Sequence, residues 1–151
     1  MKYLKHLKYL IQYNIMLIRE FISETNKNLM ISILLKHYKV GSVKVKQKSM
    51  KDHAHYNVDT GTLELSTRYK TIKNRQLKEF LITIIHEIRH AMDAKKYGWK
   101  KFKDMYEMEM NYLISQGKDE YKDNVYEIEA EKFGQKNWSK WKTRFKKEGL
   151  I

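Results

Sequence analysis

Between Asn74 and Gly98 the apolar residues Leu77, Leu81, Ile84, Ile85, Ile88 and Met92 recur at intervals that line one stripe of a helix. Asn74 can cap such a helix, and Gly98 supplies a stop just past Tyr97. A helix of this length must bury its stripe, so the rest of the chain has to furnish a covering layer. The same helix carries His86-Glu87-Ile88-Arg89-His90. Residues four apart share a face, so the two imidazoles are presented together.

The flanking segments suggest how the layer is built. Tyr3 to about Tyr38 has helical periodicity, broken near Ser23 to Asn28 where cap and turn residues cluster. Val40 to Ser49 alternates as a strand does, and His53–Val58 and Thr62–Ser66 form two more short strands joined by Asp59-Thr60-Gly61. A helix is expected over Lys100–Ser115, then a polar loop around Gly117, then a last helix from Asn124 to about Lys147. The expected fold class is therefore α+β: N-terminal helices, a small antiparallel sheet, then three helices. A length of 151 residues fits one domain, with an N-terminal helical segment at 1–38, a central part at 40–135 and a basic tail at 136–151. Trp138, Trp141 and Phe145 continue a stripe from Tyr126, Ala130 and Phe133, which is the pattern of a core-facing helix.

Composition removes several classes of function. The chain has no cysteine, which excludes a disulfide scaffold, a zinc ribbon and a thiol nucleophile. Its formal charge is +13, with acidic groups concentrated in residues 79–131 and two acid-free basic runs at 36–51 and 136–147. Such runs suit an anionic partner (nucleic acid, an anionic membrane face or an acidic protein), or they form a merely solvated basic surface. In the first 21 residues Lys5, His6, Lys8, Gln12 and Asn14 interrupt the apolar positions, so an amphipathic surface helix is expected rather than a signal peptide or a membrane span. Richness in Lys, Ile, Asn and Tyr without proline or cysteine matches an AT-rich genome such as that of a phage or mobile element.

The chemistry-bearing residues are His86, Glu87 and His90. Zinc accepts neutral imidazole nitrogen and, in catalytic sites, takes three protein ligands and keeps a position open to water. Glu87, next to the first histidine, can aim its carboxylate at that water as a general base. A third ligand has to come from elsewhere. The other histidines, His6, His37, His53 and His55, all precede the motif, so an acidic residue is the remaining source. Tyr126-Glu127-Ile128-Glu129-Ala130-Glu131 supplies it, with Glu127 and Glu131 on one helical face and Glu129 pointing away. Asp93, one turn beyond His90, is a candidate to orient an imidazole. His53 and His55 read as polar surface positions rather than a metal pair. Tyr126 and Tyr69 are both candidates for an electrophilic tyrosine.

With HExxH followed by a glutamate helix, the chain resembles the gluzincins, in particular the minimal gluzincins, the ImmA/IrrE-type peptidases and small phage metallopeptidases. Glu127, Ala130, Glu131, Phe133 and Gly134 fall on that family's Glu-x-x-Ala-Asn/Asp-x-Phe-Ala pattern, with Glu131 where Asp or Asn is usual. The resemblance spans residues 40–135. It implies a zincin-like fold, Zn2+ on His86, His90 and Glu127, and Glu131 behind a ligand imidazole. It further implies hydrolysis of a peptide bond in a protein or peptide substrate, and a sheet-edge strand Thr62-Leu63-Glu64-Leu65-Ser66 that pairs with that substrate. Separately, a cytoplasmic or virion-associated location without a signal peptide is expected. The rival expectation is a zincin-fold structural or interaction protein, such as a virion component that docks through its basic surfaces.

Overall fold

The computed structural model describes residues 2–151, and the side chains of all of these except 2–3 and 14–19. The chain runs α1 (Lys2–Glu20), β1 (Phe21–Ile22), α2 (Glu24–His37), β2 (Lys44–Lys48), β3 (Ala54–Asn57), β4 (Thr62–Ser66), β5 (Ile72–Lys73), α3 (Leu77–Tyr97), α4 (Trp99–Ser115) and α5 (Val125–Lys147). The architecture is α+β, as expected. Local signals account for the boundaries. The Ser23 side chain accepts from Asn26 N at 3.1 Å to cap α2, and Asn124 accepts from Tyr126 N at 3.0 Å to cap α5. Gly98, at φ 85°, ends α3 in a backbone conformation that a side chain would strain. Asn74 opens a single 3-10 turn rather than the helix itself, which begins three residues later at Leu77.

The sheet departs from expectation in two ways. Its strand order is β2-β4-β3, with β2 parallel and β3 antiparallel to β4, so it is mixed. Thr62–Ser66 is consequently the central strand, with both edges already paired. It cannot be the edge on which an extended substrate pairs. The reason lies in composition: Thr62, Leu63, Leu65 and Ser66 are all buried, whereas every residue of the lysine-rich Lys44–Lys48 is exposed. The apolar strand takes the middle, and the charged one blunts an edge. β1 and β5 form a separate two-stranded antiparallel pair.

α3 lies between the sheet and α5. Leu77, Phe80, Leu81, Ile84, Ile85 and Ile88 join Leu63, Leu65 and Ile72 in the core, and α2 adds Met30, Ile31 and Leu34. Trp141 and Phe145 of α5 are fully buried in the same cluster, with Phe133 and Trp138 packed against it, so the aromatic stripe is core. The Trp141 indole N–H donates to Tyr38 Oη at 2.9 Å, which satisfies its buried polar edge. Gly134 sets how closely α5 approaches α3: a Cβ there would lie 2.8 Å from the Ile82 carbonyl oxygen. Lys27, 1% exposed, extends from α2 to donate to the carbonyls of Tyr69 and Lys70 at 3.0 and 3.3 Å, fastening the turn after β4.

Candidate metal centre

The close α3–α5 seam gathers four polar side chains that would ordinarily face water. His86, Glu87, His90 and Glu127 are each 7–8% exposed. α3 supplies the first three from one face, and the first turn of α5 supplies Glu127, where the helix N-terminus favours a carboxylate. His86 Nε2 lies 2.9 Å from Glu127 Oε2, His90 Nε2 lies 3.2 Å from Glu127 Oε1, and the two Nε2 atoms are 3.2 Å apart. Ligand atoms around a tetrahedral zinc at about 2.0–2.1 Å are roughly 3.4 Å from one another. The donor set and its spacing therefore fit a metal ion, and His86, His90 and Glu127 could hold one.

The electrostatics follow from this crowding. Burial alone would raise the Glu127 carboxyl, but hydrogen bonds from His86 and His90, the His90 charge and the Tyr106 hydroxyl hold it well below the usual carboxylate range. Burial alone would lower His86. The bond to Glu127 and the charges of Glu87, Glu127 and Glu131 outweigh that and raise it. Both directions favour the ionised pair, or a cation in the place of its proton.

The surrounding groups divide by what they touch. Glu87 Oε2 accepts the Tyr56 backbone N–H at 2.7 Å, while Oε1 stands 4.0 Å from His86 Nε2. One carboxylate oxygen is thus tied to β3 and the other faces the donor cluster. Glu131 Oε2 lies 3.5 Å from His86 Nδ1, on the far side of that imidazole, and Gln135 steadies its other oxygen at 2.9 Å. Glu129 is exposed and pairs loosely with Lys132 at 3.9 Å. Asp93 does not orient an imidazole. It is buried, but its carboxylate accepts from Arg89 Nε at 3.3 Å, one turn back on its own helix, and His90 Nδ1 has no hydrogen-bond partner among the described residues.

His53 sits at the rim, bonded to Tyr69 Oη at 2.7 Å, and His55 is exposed, so neither joins the cluster. Tyr69 is spent on His53 and Glu79, and Tyr126 stacks on Tyr106 with ring centroids 6.0 Å apart. Tyr106 reaches the site instead, its hydroxyl donating to Glu127 Oε1 at 2.7 Å. Burial and the neighbouring Glu127 charge push its pKa up, as they do for Tyr121 across the same cleft. Neither stands out among eleven tyrosines: helical periodicity places Tyr106 on a face without saying which long-range partner it meets, and Tyr121 lies in the turn between α4 and α5.

The cluster opens into a cleft of about 860 Å³ walled by β3 on one side and by Phe102, Tyr106 and Met110 of α4 on the other. A second groove of about 780 Å³, between α2 and β2, contains none of these groups. No family model, curated protein or solved structure matches the chain. The site therefore carries the functional argument, and what it offers is a buried His-His-Glu donor set beside a tethered carboxylate, in a cleft of about 860 Å³.

Proposed function

We propose that this protein is a zinc-dependent peptidase of the gluzincin type on a zincin-like fold. The observation that carries the proposal is the meeting of His86, His90 and Glu127 within 3.2 Å or less of one another, with Glu87 alongside. Zinc held there would acidify water and polarise a carbonyl. Glu87 is the base: tied through Oε2 to β3, it points Oε1 into the cleft, where it takes the proton of the attacking water and passes it to the leaving amine. Glu131 holds the His86 ring from behind, and Tyr106 fixes the carboxylate of Glu127. The substrate strand is β3 rather than β4. Ala54–Asn57 borders the cleft and has β4 on one side only, so apart from the Tyr56 N–H held by Glu87 its outer edge is open to an extended polypeptide.

The test is a metal assay beside a digest. Purified full-length protein should retain about one zinc per chain and cleave casein; His86→Ala should lose the metal. Glu87→Gln should keep the metal and lose turnover by roughly 10²–10⁴-fold. Full zinc retention by His86→Ala ends the proposal, and loss of metal by Glu87→Gln reassigns that residue. A second reading, an interaction protein whose site is idle, draws on the exposed α1; it predicts bound zinc with no turnover of any polypeptide.

A further inference from the structure

α1 is placed unlike every other helix of the fold. From Leu4 to Tyr13 every residue is exposed, and none of its described side chains enters the core. Leu4, Leu7, Leu10 and Ile11 are 65%, 57%, 45% and 51% exposed. At 3.6 residues per turn these four fall within an arc of about 120°. Lys8 and His6 flank that arc, and Lys5, Tyr9, Gln12 and Tyr13 fill the opposite side. No acidic residue occurs before Glu20. A contiguous apolar face of this size on a helix is a contact surface awaiting its cover.

The charge pattern selects the cover. A second copy of the chain would bring the same cationic flanks against themselves, on a molecule of formal charge +13. A bilayer with anionic headgroups satisfies both halves at once: the leucines enter the boundary of the acyl region, while the lysines and tyrosines stay at headgroup level. A large apolar face, a cationic polar face and modest overall hydrophobicity are the properties of helices that lie in that interface. Crossing is not the mode, since no helix among the described residues is long and apolar enough to span. We infer that α1 is an interfacial anchor that seats the protein on anionic lipid surfaces. The inference goes beyond the metal centre and does not depend on it.

Flotation of the full chain with unilamellar vesicles tests the anchor. Vesicles of phosphatidylcholine with about 30% phosphatidylglycerol should bind at least about tenfold more tightly than phosphatidylcholine alone. Leu7→Glu with Ile11→Glu should reduce that binding at least about tenfold, since two apolar contacts become charges. Lys5→Ser with Lys8→Ser should cost about fivefold per lysine removed. All four positions are exposed, so thermal midpoint and zinc content should match the wild type. Lys142→Ser with Lys146→Ser, on the exposed side of α5, should leave vesicle binding unchanged. The anchor is overturned if the α5 pair weakens binding and the α1 pairs do not, which makes the basic tail the attachment. It is equally overturned if no vesicle is bound, or if light scattering shows a dimer that Leu7→Glu with Ile11→Glu dissolves in the absence of lipid.

Discussion

The α3–α5 seam and α1 invert the usual partition of residues in opposite senses. The seam buries two histidines and two glutamates; α1 leaves three leucines and an isoleucine in water. Apolar residues on a surface and polar ones in a core are informative where they are contiguous and oriented, because each arrangement is costly without a partner. In the seam the donors converge to within 3.2 Å of one another, a spacing that could hold a small cation. On α1 the proposed partner is extended and soft, matching apolar residues that lie open on one helix face. The two regions also differ in what holds them. The seam is fixed by close packing across Gly134, whereas the described part of α1 is fixed by no packing in the core.

The comparison can be broken most decisively at the three glutamates of α5. Zinc affinity should fall by more than about 100-fold in Glu127→Ala, by roughly 10–100-fold in Glu131→Ala, and by less than about twofold in Glu129→Ala. If Glu131→Ala is the worst of the three, the ligand lies one turn further along and the seam is not the pocket described. A smaller effect tests the packing. In Gly134→Ala the added methyl meets backbone, so α5 must move outward, destabilising the fold by about 1–3 kcal/mol and weakening zinc binding. Leu7→Glu on α1 should stay within about 0.5 kcal/mol of the wild type in the same denaturation series. Equal losses in the two variants would erase the contrast between a packed region and an unpacked one.

The mildest prediction concerns pH in metal-stripped protein. The depressed Glu127 stabilises the fold above its unfolded value near 4.3, and that contribution is lost as pH falls through the folded value. The raised His86 stabilises below its unfolded value near 6.5, and that contribution is lost as pH rises through the folded value. With chelator present, thermal midpoints should therefore peak between about pH 4.5 and 6.5. Zinc-loaded protein should instead lose its added stability toward acid, because ligand imidazoles must be neutral. A flat profile from pH 5 to 8 in the stripped protein would show that His86 contributes nothing, and one flat from pH 5 down to about 3 would show the same for Glu127.

Much of this was legible from residue order because local rules governed it. Ser23 and Asn124 cap their helices, Gly98 stops α3, and the Thr62–Ser66 strand begins and ends where its alternation does. The spacing of Glu127, Glu129 and Glu131 on a helix anticipated which two would face α3. Other features escaped. The mixed strand order depends on which strand is most apolar, and the contrast between Leu63 and Leu65 and the lysines of β2 was a usable signal for it. Asp93 turned to Arg89 because the permanently charged guanidinium one turn back competes directly with the imidazole of His90, which is also one turn back on the same helix. The tie between Glu87 and the Tyr56 N–H involves a main-chain donor, which every residue but proline carries, so side-chain identity gives no hint of it.

Lys27 has a consequence for following the molecule in solution. Burial lowers its pKa against the opposing pull of Glu24, and its ammonium is occupied by the carbonyls of Tyr69 and Lys70. An amine-reactive reagent therefore meets it only when α2 lifts from the turn behind β4, while the exposed lysines of β2 and α5 are modified at once. Its rate of acylation, followed by peptide mass, becomes an internal clock for the opening of the side of the core that lies away from the His86–His90–Glu127 cluster.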